Sequence, residues 1–274
     1  MKTSFDIILF LMKVLDLKNP FGAPVCHEES VSSTMDIARV LAGQGKGHGT
    51  VISADFQEAG RGRLQRRWAT ERGKNLLFTI LLRYGSIPSI PAALTLRTGL
   101  ALSFAIEDLA PALCGSVLVK WPNDIMIHCG GDSMAAGARK AAGILTETDC
   151  ENVFIGVGVN VAQMEFPAEL GSKAISLIQA AGDNGIDLRF VLLEKILFRL
   201  HEEIEKPQNP GLWQERLLSR LYKKGETVSF AEGTADSKKI TTGILSGIGS
   251  GGELLIIPHG STKERSFING ELRV

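Results

Sequence analysis

The sequence predicts an α+β fold in which strands and helices share a long first region and a small all-β module closes the chain. Three observations carry that prediction. Apolar runs at residues 50–56, 76–83, 117–127, 139–147 and 153–159 read as strands, and helical patterns are interspersed among them. Two amphipathic segments, residues 190–205 and 212–222, read as helices, and Lys223-Lys224-Gly225 supplies a basic last turn and a glycine stop. From Glu226 the pattern shortens to alternating strands with turns at Glu232-Gly233, residues 249–252 and His259-Gly260, a module of about 50 residues.

The chain has 274 residues, 44% of them hydrophobic, with 30 basic and 30 acidic side chains. Such a length buries an ample core without staples. Zero net charge argues against bulk nucleic-acid binding. Cys26, Cys114, Cys129 and Cys150 form no Cys-x-x-Cys pair, which disfavours a zinc site or disulfide framework and fits a cytoplasmic protein. Residues 5–17 are apolar, but Asp6, Lys13 and Asp16 interrupt them, and no stretch approaches the ~20 apolar residues of a membrane span. The centre, residues 7–12, is short for a signal peptide, and no clean Ala-x-Ala site follows. It reads as a short amphipathic helix ended by Asn19-Pro20-Phe21-Gly22, with no membrane partner expected.

Ser33-Thr34-Met35-Asp36 has the form of a helix start, with Ser33 as N-cap and a helix running to about Ala42. Its hydroxyls either cap the helix or face a polar ligand. The glycine-rich residues 43–49 read as a flexible connection, with His48 solvated. Gln57 and Glu58 end the next strand, where ligand-facing groups sit in α/β sheets. They lead into Gly60-Arg61-Gly62-Arg63-Leu64-Gln65-Arg66-Arg67-Trp68. Across residues 61–74 six Lys or Arg stand against one acid, Glu71, a local excess of five positive charges. Glycines let backbone approach a ligand, and arginine grips a carboxylate or phosphate through two parallel hydrogen bonds. Trp68 adds a flat face on which a purine can stack. The bland alternative is a solvated basic turn; two glycines in alternation with arginine weigh against it. The stretch is neither a P-loop nor a dinucleotide fingerprint, since it lacks Gly-Lys-Ser/Thr and position 65 is Gln.

Pro91 opens a helix through about Leu109. Beyond it, Pro122 forces a bend between two short strands and holds Lys120, Asn123 and Asp124 near a kink, unless this is an ordinary hairpin turn. Residues 129–138 read as a mobile small-residue loop. Lys140 stands at the entrance of the following strand, a position where lysine also serves to block aggregation. Gly156-Val157-Gly158-Val159-Asn160 ends a buried strand; its glycines admit a ligand to the sheet and Asn160 is placed to read a base edge.

Five of these stretches, in order, resemble the motifs of the biotin protein ligase family: Ser32-Ser33-Thr34, Gln57-Glu58-Ala59-Gly60-Arg61-Gly62-Arg63, Lys120-Trp121-Pro122-Asn123-Asp124, Lys140-Ala141-Ala142-Gly143-Ile144-Leu145 and Gly156-Val157-Gly158-Val159-Asn160. The resemblance spans residues 28 to 274. It implies a mixed central β-sheet flanked by helices, of the class II synthetase type, with a C-terminal SH3-like β-barrel. The division it implies is an N-terminal extension (1–27), a biotin- and ATP-binding catalytic domain (28–222) and the β domain (223–274). The implied reaction has two steps. Biotin's carboxylate attacks the α-phosphate of ATP to give biotinyl-5′-AMP and pyrophosphate. A lysine of a biotin carboxyl carrier domain then attacks the mixed anhydride. Both steps build negative charge on oxygen, so positioning and cationic stabilisation dominate. No enzyme nucleophile is needed, which fits the expected absence of a Ser-His or Cys-His constellation.

By the same resemblance, Ser33, Thr34 and Gln57 hold the biotin head group, and Arg61, Gly62, Arg63, Lys140 and Gly143 line its path. Arg61 and Arg63 fold over carboxylate and α-phosphate, and Lys140 stabilises the adenylation transition state; these three are the implied catalytic residues. Arg66, Trp68, Lys120, Asn123, Asp124 and Asn160 take ATP: Arg66 meets pyrophosphate, Trp68 and Asn160 hold adenine, and Lys120 and Asp124 shape the phosphate and Mg²⁺ side. The basic loop is expected to order around ligand. Three departures stand out: Gln65 where the family often has glycine, Met35 where some members have Asn, and a long 129–139 loop before Lys140. The stretch of about 28 residues ahead of the ligase region is too short for a winged-helix domain, so no operator DNA is expected. A homodimer through sheet edges is left open. So are two other functions, a lipoate or octanoate ligase of related fold and a non-catalytic biotin sensor.

Overall fold

The computed structural model describes residues 12–130, 137–149, 151–182, 187–206, 212–233 and 237–273. The larger sheet has eight strands: β1 (Lys13–Leu15), β2 (Val25–Glu28), β3 (Thr50–Ala54), β4 (Leu76–Arg83), β5 (Val117–Lys120), β6 (Asp124–Ile127), β7 (Arg139–Thr148) and β8 (Asn152–Val159). Their order is β1-β2-β3-β4-β8-β7-β6-β5. β2 and β3 run parallel and the other pairs antiparallel, so the sheet is mixed. Among the described residues five α-helices accompany it: α1 (Thr34–Gly43), α2 (Leu94–Leu109), α3 (Leu177–Ala181), α4 (Arg189–Ile204) and α5 (Leu212–Leu218). The C-terminal sheet holds β9 (Thr227–Glu232), β10 (Ile240–Ile248), β11 (Leu254–Pro258), β12 (Arg265–Phe267) and β13 (Gly270–Arg273), antiparallel throughout.

Side-chain alternation decides how the sheet is covered. Leu76, Phe78, Ile80 and Leu82 of β4 join the main core with α2 and α4. Leu81, on the other face, packs with Met35, Ala38 and Leu41 of α1. β8 follows the same rule: Val153, Ile155, Val157 and Val159 enter the main core, which turns Phe154, Gly156 and Gly158 to the α1 face. Phe154 packs under α1. The two glycines cannot, so the sheet beside α1 is bare. The run Ile87–Leu109 is long and apolar enough to cross a membrane, its most apolar window having a mean hydropathy of 1.4, yet 61% of that window is buried inside the fold.

Charged groups stitch the helices together. Arg97 and Glu203 are 7% and 5% exposed, with Nε 3.2 Å from Oε1, and Arg216 holds the other carboxylate oxygen. Arg220 grips Glu107 through two bonds of 2.6 and 2.7 Å. A broken buried pair leaves an uncompensated charge. Glu203→Leu is therefore expected to lower unfolding free energy by about 3–5 kcal/mol, read from urea denaturation.

Several local expectations are corrected. Residues 13–15 form an edge strand rather than the end of a helix, because Val14 and its neighbours pair antiparallel with β2; residues 1–11 lie outside the described part. The helix after Pro91 starts at Leu94, behind a left-handed Ala93 (φ 55°). α5 stops at Leu218, and residues 220–222 run extended along β5, satisfying the edge through Val119 N–H to Arg220 O (2.8 Å) and Tyr222 N–H to Val119 O (3.0 Å). The second amphipathic segment is thus shorter than its pattern, because Leu221 and Tyr222 are drawn under the sheet edge. His48 is partly exposed but tethered: Arg83 N–H donates to its Nδ1 (3.0 Å), and its Nε2 lies 3.3 Å from Glu205.

Candidate active site

The bare strip of sheet is floored by Gly143 of β7 and by Gly156 and Gly158 of β8. Trp68 lies on it. A Cβ built on Gly158 would come within 2.6 Å of Trp68 Cε2, and one on Gly143 within 3.0 Å of Cζ3. Only glycine permits this contact. The Trp68 Nε1–H is buried without a hydrogen-bond partner among the described residues, a group for which a ligand acceptor would remove a penalty of about 1–3 kcal/mol. Met35 caps the far end, its Cε 2.9 Å from a Gly156 Cβ position.

At that end Thr34 N–H and Oγ1–H donate to Gln57 Oε1 at 2.8 and 3.1 Å, and Thr79 Oγ1 stands 2.9 Å from Thr34 Oγ1. Ser33 holds the N-cap position of α1 but makes no capping bond through its side chain. Asp36, expected to help the cap, binds Arg61 instead, at 2.5 and 3.2 Å. Thr79, buried in mid-β4, went unnoticed in the sequence because nothing separates it from an ordinary β-branched strand residue.

The basic loop folds back on itself. Gly62 N–H donates to Arg66 O (2.7 Å) and Trp68 N–H to Gly60 O (3.0 Å). Leu64 and Gln65 both take left-handed backbone, φ 56° and 58°, at a cost of roughly 1–2 kcal/mol per residue. Arg66 forms two bonds to Glu271 of β13, 2.7 and 2.8 Å. Hydrogen bonding from Arg66 holds the Glu271 carboxyl below the usual range. Its stabilising contribution is therefore full above the ordinary Glu value of about 4.3 and is lost only as pH falls through the lower folded value. Hydrogen exchange at the Gly62 and Trp68 amides, corrected for intrinsic rate, should stay flat from about pH 8 to 5; Glu271→Gln should speed it.

Opposite the loop, β5 and β6 put Lys120 directly across from Asp124. Asn123 Nδ2 donates to Ile144 O (2.7 Å), tying the turn to β7. Lys140 Nζ sits 2.6 Å from Asp124 Oδ1 and 5.5 Å from the Trp68 ring. Asn160 is 4% exposed; its Nδ2 donates to the carbonyls of Lys140 (3.4 Å) and Ile175 (3.3 Å), so as placed it braces the strand carrying Lys140. Part of the 129–139 loop, residues 131–136, lies outside the described residues.

The cations divide into two groups. Arg61, Arg66 and Lys140 each hold a carboxylate of the chain. Arg63 and Lys120 hold none within 4.0 Å among the described residues; Arg63 instead reaches Asn123 Oδ1 and Gly270 O, both at 3.4 Å. Burial, ahead of any charge effect, lowers the pKa of both. Both are half-buried cations without a carboxylate partner, a pairing that an anion could supply.

One constellation contradicts the sequence. His27 Nδ1 lies 2.9 Å from Ser53 Oγ, and its Nε2 3.6 Å from Asp55. It does not make a nucleophile: Ser53 is 1% exposed, Asp55 is held by Arg189 at 2.6 Å, and Phe190 of α4 covers the imidazole. Burial, the largest influence, lowers the His27 pKa.

Helices of the main core cover one face of the sheet, and on the other, beside α1, the loop carrying Trp68 lies over the glycines. Residues 28–160 match the profile of the biotin/lipoate A/B protein ligase family. It is 34% identical over 212 residues to the bifunctional ligase/repressor BirA of Bacillus spizizenii, covering 74% of this chain; the chain spans 61% of that relative's length. It is 29% identical over 225 residues to the biotin–[acetyl-CoA-carboxylase] ligase of Paracoccus denitrificans, covering 75% of this chain and 82% of the relative. Among solved structures, biotin protein ligase from Aquifex aeolicus in complex with biotin and ATP aligns at TM-score 0.74 and 28% identity, over 91% of this chain and 98% of that one.

Proposed function

We propose that the protein is an ATP-dependent biotin protein ligase. It forms biotinyl-5′-AMP from biotin and ATP, then passes biotin to a lysine of a biotin carboxyl carrier domain. The observation that carries this reading is Trp68 lying on a glycine floor with Lys140 Nζ 5.5 Å from its ring, in a chain whose Arg63 and Lys120 hold no carboxylate within 4.0 Å among the described residues. The names of the relatives agree with it.

In this reading residues 28–222 form the catalytic part and 223–274 its C-terminal brace. Ser33, Thr34 and Gln57 take the head group, with Gly62 and Gly143 leaving room along the acyl chain. Arg61 exchanges Asp36 for the ligand's carboxylate, and Arg63 meets the α-phosphate. Arg66 exchanges Glu271 for the leaving pyrophosphate. Lys140 exchanges Asp124 for developing charge on the reacting phosphate oxygens. Trp68 stacks on adenine, and Asn123 and Asn160 hold the surrounding backbone. Each swap replaces an internal carboxylate by a ligand anion, so Arg61, Arg66 and Lys140 are paired in either state.

Magnesium would enter this site on ATP phosphates, since such ions are held by few protein carboxylates; Asp124, once released by Lys140, would be the side chain to hold it. Bound there it would neutralise phosphate charge. Cys26, Cys114 and Cys129 are free thiols, in keeping with a cytoplasmic setting.

Purified protein given magnesium, ATP and biotin should release pyrophosphate and label a carrier domain. Release with lipoate or octanoate and none with biotin would move the assignment to the other branch of the family. Biotin binding without any release would leave a sensor.

A further inference from the structure

We propose that Trp121 is a positioning residue for the nucleotide: hooked to the C-terminal sheet, it holds the turn at residues 120–124 in register with the basic loop. The proposal rests on the ligase reading for the identity of the nucleotide.

The turn has two sides. On one, Lys120, Asn123 and Asp124 address the cleft, with Asn123 bonded to Ile144 O and Asp124 to Lys140. Asn123 N–H donates to Lys120 O at 3.1 Å and closes the turn. On the other side, Trp121 points away from the cleft and is 3% exposed. Its ring meets Phe230 of β9 edge-on, centroids 5.7 Å apart. Its Nε1–H donates to Gly252 O at 2.9 Å. Burial alone would be served by leucine or phenylalanine. The directed bond fixes the indole's rotation, and with it the backbone that carries Lys120 and Asp124.

The acceptor is itself held. Gly252 belongs to the β10–β11 turn, closed by Gly252 N–H to Gly249 O at 3.1 Å. It has φ +93°, and a Cβ there would lie 2.8 Å from Ala93 Cβ at the start of α2. Only glycine lets its carbonyl sit between α2 and the indole. The C-terminal sheet therefore grips both walls of the cleft: the turn through Trp121, and the loop through Glu271 on Arg66 and Gly270 O on Arg63. A displacement of about 1 Å in such a frame costs on the order of a hundredfold in rate.

The test is a cycle of Trp121→Phe, Gly252→Ala and the double variant. Calorimetry gives the affinity of the biotin-saturated full chain for a non-hydrolysable ATP analogue, and of the free chain for biotin. Each single variant should weaken nucleotide binding about tenfold, leave biotin affinity within about twofold, and the double should be no weaker than the worse single, because both cut one contact. Three results overturn the hook: nucleotide affinity within about twofold of wild type, equal losses for biotin and nucleotide, or a double variant equal to the product of the singles. If Trp121→Phe does not fold, Gly252→Ala is judged alone by the first two criteria. Pyrophosphate release by wild type is measured separately. A wild type that binds nucleotide but releases none would sink the ligase reading while the affinity ratios still decide the hook.

Discussion

Lys140→Ala should slow adenylate formation by about a hundred- to a thousandfold, the loss of about 2.7–4 kcal/mol typical when one preorganised donor to a developing oxyanion is removed. Two effects add. The ammonium that neutralises phosphate charge disappears, and Asp124, now held 2.6 Å from it, is left as an uncompensated negative charge in the same cleft. The strand itself should survive. Lys140 is anchored by its backbone, N–H to Lys173 O at 2.7 Å and O from Ile175 N–H at 3.0 Å, and alanine keeps both bonds. Pyrophosphate release at saturating biotin and ATP checks the rate, and thermal melting checks the fold. A rate within about threefold of wild type, in a folded variant, would remove Lys140 from the reaction.

Gly158→Val should weaken nucleotide binding by about 1–3 kcal/mol, the worth of one base stacked on an aromatic ring. The first carbon of the new side chain would already fall 2.6, 2.8 and 2.8 Å from Trp68 Cε2, Cζ2 and Nε1. The indole must leave the sheet, and with it the platform. Valine suits a strand, so the variant should fold, its partners across β4 and β7 being Leu77 and Gly143. Calorimetry with an ATP analogue on biotin-saturated protein measures the loss. Undiminished affinity would mean that the nucleotide does not use Trp68 in the position observed here.

Much of the site was legible in the sequence for one reason: strand alternation is a rule about consecutive residues. In Val153-Phe154-Ile155-Gly156-Val157-Gly158-Val159 every second residue is large and β-branched, and the intervening glycines must share the other face. The basic loop was equally plain, since five excess charges in a short span need a partner or water. The failures have a common origin. The tether on His48 was missed because Arg83 and Glu205 are remote in sequence. The Ser53–His27–Asp55 contact joins two strands that only parallel pairing of β2 and β3 brings together. Residues 13–15 and 219–222 were assigned by helical pattern, yet both lie against sheet edges whose unpaired backbone groups recruit them.

The sequence by itself determined the strand faces, the glycine floor, the position of the arginine loop and the family resemblance, because these follow from local chemistry and periodicity. Tertiary structure decided which carboxylate each cation holds. Asp36, Asp124 and Glu271 are only three acids among 30 until the fold brings them to Arg61, Lys140 and Arg66. It also decided that, among the described residues, Arg63 and Lys120 hold none within 4.0 Å. Charge pairing depends on distance in space, and chain order carries that information only where a turn or a strand pair makes neighbours of residues close in sequence.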